Sequence, residues 1–184
     1  MKKNLSNLVF LSLFSLTAAN VNAQNQTNKE TGFYAELGLA QAYYSEPSVN
    51  FNHSMGVGKL GYNINKNAAF EVMAAGNLNS VNFYYGSTYI ANVKVDSAYG
   101  AYGKFSLPVN EDVSLFVRIG ATNASVTATT RYGRYFTSGS SLSYGAGAQF
   151  NFTKDIYGQV DYMSYYNRND ISVTAPSVSV GYKF

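Results

Sequence analysis

The chain has 184 residues, a formal net charge of +3 and no cysteine, and only 12% of its residues are charged. Soluble domains carry about 25% charged residues, and near-neutrality offers no footprint for nucleic acid. With no cysteine there is neither a thiol for a lipid anchor nor a disulfide framework.

The chain opens with Lys2 and Lys3, followed by an apolar run from Leu8 to Ala19. That run is too short to span a membrane as a helix and has the form of a signal-peptide core. Val21-Asn22-Ala23 puts small residues at the cleavage positions, which predicts a signal peptide over 1–23. Of thirteen basic residues, eleven then remain against ten acidic ones. Residues 24–31 are polar and read as a short lead, with one domain expected over 32–184.

From Gly32 onward, apolar and small or polar residues alternate with period two, the mark of strands with two unlike faces. Strand 1 is expected near Gly32–Ala42, with Phe33, Ala35, Leu37 and Leu39 opposite Tyr34, Glu36, Gly38 and Ala40. Pro47, Ser48 and Asn50 suggest a loop, and strand 2 is expected near Ser54–Asn63. A turn at Asn63–Asn67 leads to strand 3 near Ala68–Leu78. Strand 4 (about Ser97–Leu107), the turn Pro108–Asp112 and strand 5 (about Val113–Ala124) repeat the scheme. Strand 6 (about Ser141–Phe152), the turn Thr153–Asp155, strand 7 (about Ile156–Tyr165) and a terminal strand 8 complete it.

Short connections follow strands 2, 4 and 6, and long ones follow strands 1, 3, 5 and 7. Each strand reaches the roughly 9–11 residues that a transmembrane strand needs. One face collects Leu, Val, Phe and Tyr, while the other collects Gly, Ala, Ser and a few charges. The expected fold is all-β: an eight-stranded antiparallel transmembrane barrel with short periplasmic turns and long extracellular loops. A soluble barrel would put the apolar face inside.

By this parity Glu36, Lys59, Glu71, Lys104, Arg118 and Asp161 point into the lumen within a similar band, with Lys183 at the periplasmic rim. Opposite charges in a narrow lumen are expected to pair, and a salt-bridge plug is the sharper reading. Scattered charges solvated by lumen water are the plainer one. Between Asn77 and Asp96, two alternating runs flank Gly86-Ser87, which predicts a hairpin above the membrane. Tyr84, Tyr85, Tyr89, Arg131, Tyr132, Arg134, Tyr135, Phe136, Tyr165, Tyr166 and Arg168 gather at the loop tips. Tyr and Arg are common contact residues of interfaces, and Arg131 and Arg134 suit lipopolysaccharide phosphates. A binding surface and a solvated loop both fit them.

No cofactor, metal or catalytic set is expected. His53, the only histidine, is placed at the end of the first loop beside Ser54, and nothing fixes a triad geometry with Glu46.

The terminal run Val178, Val180, Tyr182 and Phe184 alternates with Ser179, Gly181 and Lys183 and ends on an aromatic residue. With Ala98–Asn110 and Tyr144–Phe152, it resembles the small outer-membrane barrels of the OmpA transmembrane-domain, OmpX and Ail type. The resemblance implies a bacterial outer-membrane protein inserted by the assembly machinery, with the C-terminal strand as the assembly signal. It also implies a structural or surface role, in adhesion, envelope integrity or resistance to host defence. The implied partners are outer-membrane lipid, lipopolysaccharide and a host or extracellular macromolecule. A small porin-like channel is the alternative, and a lipid-modifying enzyme a remoter one.

Overall fold

A computed structural model of the chain describes residues 31–46, 49–78, 81–85, 88–130, 133–168 and 171–184. Among these, every regular element is a strand: β1 (Gly32–Glu46), β2 (Val49–Asn65), β3 (Ala68–Asn77), β4 (Val81–Tyr85) and β5 (Thr88–Pro108). The chain continues through β6 (Val113–Thr130), β7 (Gly133–Asn151), β8 (Ile156–Arg168) and β9 (Ile171–Lys183). Apart from β3 and β4, neighbours in the chain pair antiparallel, and β3 pairs instead with the lower part of β5. β1 pairs with β9 from Tyr34↔Lys183 to Ser45↔Ser172, which closes the sheet. Eight staves therefore make the barrel, and β4 prolongs the line of β3 along the upper part of β5.

The alternation decides which face turns outward. Phe33, Leu37, Leu39 and Tyr43 of β1 are exposed, while Tyr34, Glu36, Ala40 and Ala42 are buried. The same inversion recurs at Leu60, Phe70, Phe105, Val117, Leu142, Val160 and Val180, all exposed. Water would not tolerate so continuous an apolar exterior, whereas a bilayer requires one. From Phe33 to Tyr43 the exposed apolar face climbs about 24 Å at a tilt of about 45°, which matches a band roughly 25 Å tall.

The three periplasmic turns share one device. Asn65 Oδ1 accepts from the amides of Asn67 (2.8 Å) and Ala68 (2.9 Å). Asn110 Oδ1 accepts from Asp112 (3.0 Å) and Val113 (2.7 Å), and Thr153 Oγ1 from Asp155 (3.3 Å) and Ile156 (2.9 Å). Such side-chain caps satisfy turn amides that have no ladder partner. Backbone bonds then tie turns and strand ends to their neighbours: Ser106 N to Asn67 O, Asn151 N to Asp112 O, Lys183 N to Asp155 O, and Phe184 N to Phe33 O. The periplasmic rim is thus a hydrogen-bonded belt.

At the opposite end the strands run further than the periodicity predicts. β2 starts at Val49 rather than Ser54 and β7 at Gly133 rather than Ser141, while β5 starts at Thr88, within the hairpin expected to continue it above the membrane. β1 and β8 likewise extend to Glu46 and Arg168, while β6 reaches Thr130, as the run Val126–Thr130 before Tyr132-Gly133 leads one to expect. Much of each long external excursion is therefore ladder. Above the membrane both faces of a strand meet water, so the period-two signal fades while backbone pairing persists. His53, expected on a loop, lies in β2 instead, paired with Ala42 and buried on the lumen side.

Candidate functional site

The lumen is organised around Arg118 on β6, whose side chain is fully withdrawn from solvent. Its Nε donates to Glu71 Oε2 (2.5 Å) and its Nη2 to Glu71 Oε1 (3.1 Å), a two-pronged pair. Nη2 also donates to Glu36 Oε2 (3.3 Å) and Gln159 Oε1 (2.9 Å), and Nη1 to Asp161 Oδ2 (2.7 Å). Lys59 bridges Glu36 (3.4 Å) and Asp161 (3.3 Å). Lys104 lies 3.7 Å from Glu36 and 3.8 Å from Glu71, and donates to Gln149 Oε1 at 3.2 Å. Three cations thus face three carboxylates, and the buried cluster is neutral.

All six charges picked out by parity meet here. The uncharged groups that complete the cluster were given no role by the sequence reading. Tyr34 donates to Glu71 (2.5 Å), Tyr157 to Glu36 (3.0 Å), Gln159 to Glu36 (2.5 Å) and Ser177 to Asp161 (2.6 Å). Phe116 lies beneath the cations, its ring centre 4.4 Å from the Arg118 guanidinium carbon and 4.6 Å from Lys104 Nζ. A discernible signal for the tyrosines was the glycine opposite each. Tyr34 pairs with Gly61 and Tyr157 with Gly181, and a Cβ on either glycine would run into the facing ring. The bare glycine lets the phenol lie across the neighbouring strand and reach a carboxylate.

On the extracellular side of this cluster the lumen becomes apolar. Ala40, Met55, Met73, Ala98, Tyr102, Met163 and Ala175 belong to one buried group, each 8% exposed or less. Tyr102 and Thr122 hydroxyls lie 2.5 Å apart, and Ser143 donates to Thr122 (2.8 Å) and to the Tyr165 carbonyl (3.0 Å). Polar cluster and apolar layer are stacked along the axis, both nearly closed to solvent.

Beyond the membrane, β4, β5, β6 and β7 continue as a four-stranded sheet. The β5–β6 ladder runs to Ala91↔Thr130 and the β6–β7 ladder to Thr130↔Gly133. β7 pairs with β8 only from Tyr144↔Ser164 downward, so above Tyr144 its ladder is with β6 alone. The expected hairpin is present, from Val81↔Val93 to Tyr85↔Thr88. Of the loop-tip residues, Arg134 and Phe136 are exposed on β7, and Tyr165 and Tyr166 are partly buried on β8. Arg131 and Tyr132 lie outside the described residues, as do the side chains of Tyr84, Tyr85, Tyr89, Tyr135 and Arg168.

Val178, Val180, Tyr182 and Phe184 all face outward and are about half exposed, and the Tyr182 and Phe184 rings meet edge to face at 5.2 Å. Ser54, beside His53 in sequence, donates to Gln41 (2.9 Å) on the face opposite buried His53.

An apolar exterior, a closed antiparallel ring and short capped turns at one end point to a bacterial outer-membrane barrel. The family model for the outer membrane protein beta-barrel domain matches residues 8–184. The chain belongs to that family. It lies in the bacterial outer membrane. The attachment invasion locus protein of Yersinia enterocolitica is 27% identical over the full length of both chains. Ail of Yersinia pestis, solved in complex with the heparin analogue sucrose octasulfate, superposes with a TM-score of 0.65 at 23% identity. That match covers 84% of this chain and 99% of that one. Neisserial surface protein A superposes with a TM-score of 0.67 at 18% identity, covering 83% of this chain and 97% of the other. These are names of surface and attachment proteins, and none is that of an enzyme.

Proposed function

We propose that the protein is an adhesion and surface-interaction protein whose barrel is the anchor and whose β4–β7 sheet is the contact surface. One observation carries this reading: β5 has 21 residues, about twice what the bilayer needs. Its surplus reaches roughly 25 Å beyond the hydrocarbon at strand rise and barrel tilt. β7 lines one edge of that sheet, with hydroxyls and glycine at Ser138–Ser141 and with Arg134 and Phe136 exposed above them. A strand edge offers backbone donors and acceptors to a partner, and Arg with aromatic residues supplies anchoring contacts. The partner is an extracellular macromolecule, and the heparin-analogue complex of the Yersinia pestis neighbour makes a sulfated polysaccharide one to test. Arg134, with Arg131, would also meet lipopolysaccharide phosphates.

Two further readings belong to the same proposal. Residues 1–23 act as a signal peptide, and Val178, Val180, Tyr182 and Phe184 are read by the outer-membrane assembly machinery. The porin-like alternative gains nothing from a lumen packed with paired charges and buried methionines. Deleting residues 78–95 removes β4 and the upper part of β5 while leaving the Gly76↔Ser97 pair in place. Cells displaying this variant should lose binding to matrix proteins and to heparin, measured by flow cytometry. Binding equal to wild type would overturn the proposal.

A further inference from the structure

The β5–β6 ladder changes register once. Ser97 pairs with Ser125 but Val95 with Val126, so Asp96 is an extra residue on β5. Below this bulge Tyr99 and Ala101 lie on the lipid face and Ala98 on the lumen face. Above it the parity is exchanged. Val95 and Val93 take the side of Val126 and Ala128, which continues the lumen face of β6 from Thr122 and Ala124. Thr127, on the outer side of β6, donates to the Asp96 carboxylate and so pins the bulge.

The exchange reaches β4, whose Val81 and Phe83 pair with Val93 and Ala91 and therefore share their side. The external sheet thus has an apolar face towards the barrel axis and a polar face with Asn92, Thr127, Thr129 and Arg134. Without the extra residue, Val93 and Val95 would have prolonged the lipid-facing band. On β4, β5 and β6 the alternation therefore persists above the membrane, with the apolar side inside rather than outside. At its foot this face joins the buried apolar layer at Ala98, above a closed lumen. An apolar sheet face beyond the bilayer marks a contact surface.

The form of the face selects its occupant. A strand would seek backbone partners at the β7 edge, whereas a face offers side chains alone. Its partner must already have satisfied its own backbone, as a helix does. Four strands about 4.8 Å apart and the run from Ala91 to Val95 give a face about 14 Å by 13 Å. A helix is about 10–12 Å across, so one helix of about two to three turns covers it. In the sequence of this region Lys94, Arg131 and Arg134 outnumber Asp96, which favours acidic residues beside the apolar stripe of the partner. We propose that the axial face of the external sheet docks one amphipathic, acid-flanked helix of a protein partner. The site rests on the adhesion reading and assigns its protein partner to the face of the sheet rather than to the β7 edge.

The test uses the purified barrel in nanodiscs containing phosphatidylglycerol, whose charge keeps acidic peptides off the lipid, with empty nanodiscs as background. Two fluorescent peptides share one composition of leucine, alanine and glutamate. One is ordered with helical period and the other alternates as a strand would. By anisotropy, the wild type should bind the helical peptide about tenfold more tightly than the alternating one. Val93→Thr with Val95→Thr keeps β-branched side chains while making the face polar, and should weaken that binding about tenfold. Asn92→Thr, on the polar face of the same strand, should leave it unchanged. Amide hydrogen exchange over residues 88–95 confirms that each variant keeps the sheet. Wild-type binding by the double variant would overturn the site, as would an equal fall in Asn92→Thr. So would a preference for the alternating peptide, or no binding above that of empty nanodiscs. A wild-type dimer that the double variant disperses would give the face to a second copy and overturn the helix. The adhesion reading is judged separately, on cells. If the double variant keeps the matrix-protein binding that deletion of residues 78–95 abolishes, adhesion stands and the axial face falls.

Discussion

Replacing Arg118 with methionine is the sharpest test of the lumen. Its guanidinium binds Glu71, Glu36, Asp161 and Gln159, and the side chain is 0% exposed. Without it, Lys59 and Lys104 face three carboxylates in a site that water scarcely enters. Removing one partner of a buried ion pair destabilises by about 3–5 kcal/mol, because the other charge stays buried and uncompensated. Charges individually solvated by lumen water would behave as surface pairs do, at about 0–1 kcal/mol. With a urea slope of about 2 kcal/mol per molar, the first case lowers the unfolding midpoint by about 1.5–2.5 M. The protein has no tryptophan, so unfolding is followed in vesicles by circular dichroism and by the heat-dependent gel shift. Pairing with Glu71→Gln completes a double-mutant cycle whose coupling should reach about 1.5 kcal/mol or more. A midpoint shift below about 0.5 M, or additive single effects, would refute the account of the network.

Two other outcomes are expected. In planar bilayers, neither the wild type nor Glu71→Gln should show a steady open current, since the layer of Met55, Met73 and Met163 lies above the ionic cluster; a sustained pore in the wild type would restore the channel reading. Deleting Phe184 removes its ring contact with Tyr182 and its backbone bond to Phe33, and should lower the amount of barrel in the outer membrane several-fold while the loops of the refolded protein bind as before. Wild-type membrane levels of the truncated chain, read by fractionation and immunoblot, would remove the C-terminal aromatic from the assembly signal.

The barrel was legible in the sequence because a membrane imposes a strict contrast between the two faces of a strand. That contrast placed Leu60 outside and Lys59 inside, and Ile119 outside and Arg118 inside. Pairing partners were harder to read. Lys59 sits between Glu36 and Glu71 in strand order, yet it bridges Glu36 and Asp161, and the latter comes from β8 across the lumen. Contacts across a closed ring depend on strand stagger, which periodicity does not encode. Strand ends were hidden for a different reason. Residues 133–141 read Gly-Arg-Tyr-Phe-Thr-Ser-Gly-Ser-Ser, with no apolar alternation, and they form strand because β6 offers a ladder, not because a face needs burial.

The ionic cluster bears on assembly as well as stability. Glu36, Lys59, Glu71, Lys104, Arg118 and Asp161 come from β1, β2, β3, β5, β6 and β8, while Gln149 and Ser177 bring in β7 and β9. Every stave of the barrel therefore contributes a side chain to one hydrogen-bonded group. A slip of one residue along any stave would turn its member of the group towards lipid. For Lys59, Lys104 or Arg118 that exposure costs about 2–4 kcal/mol near the bilayer midplane, besides the charges it strands inside. A slip of two residues keeps each side chain on its face. The outer face would accept it, since lipid does not distinguish Leu60 from Tyr62, whereas inside it would draw each charge away from its partners. The apolar exterior thus directs the chain into a membrane, and the polar interior selects the register in which the ring closes. The external sheet takes no part in that selection, which leaves its sequence at 88–95, 126–130 and 133–141 able to vary with the partner it meets.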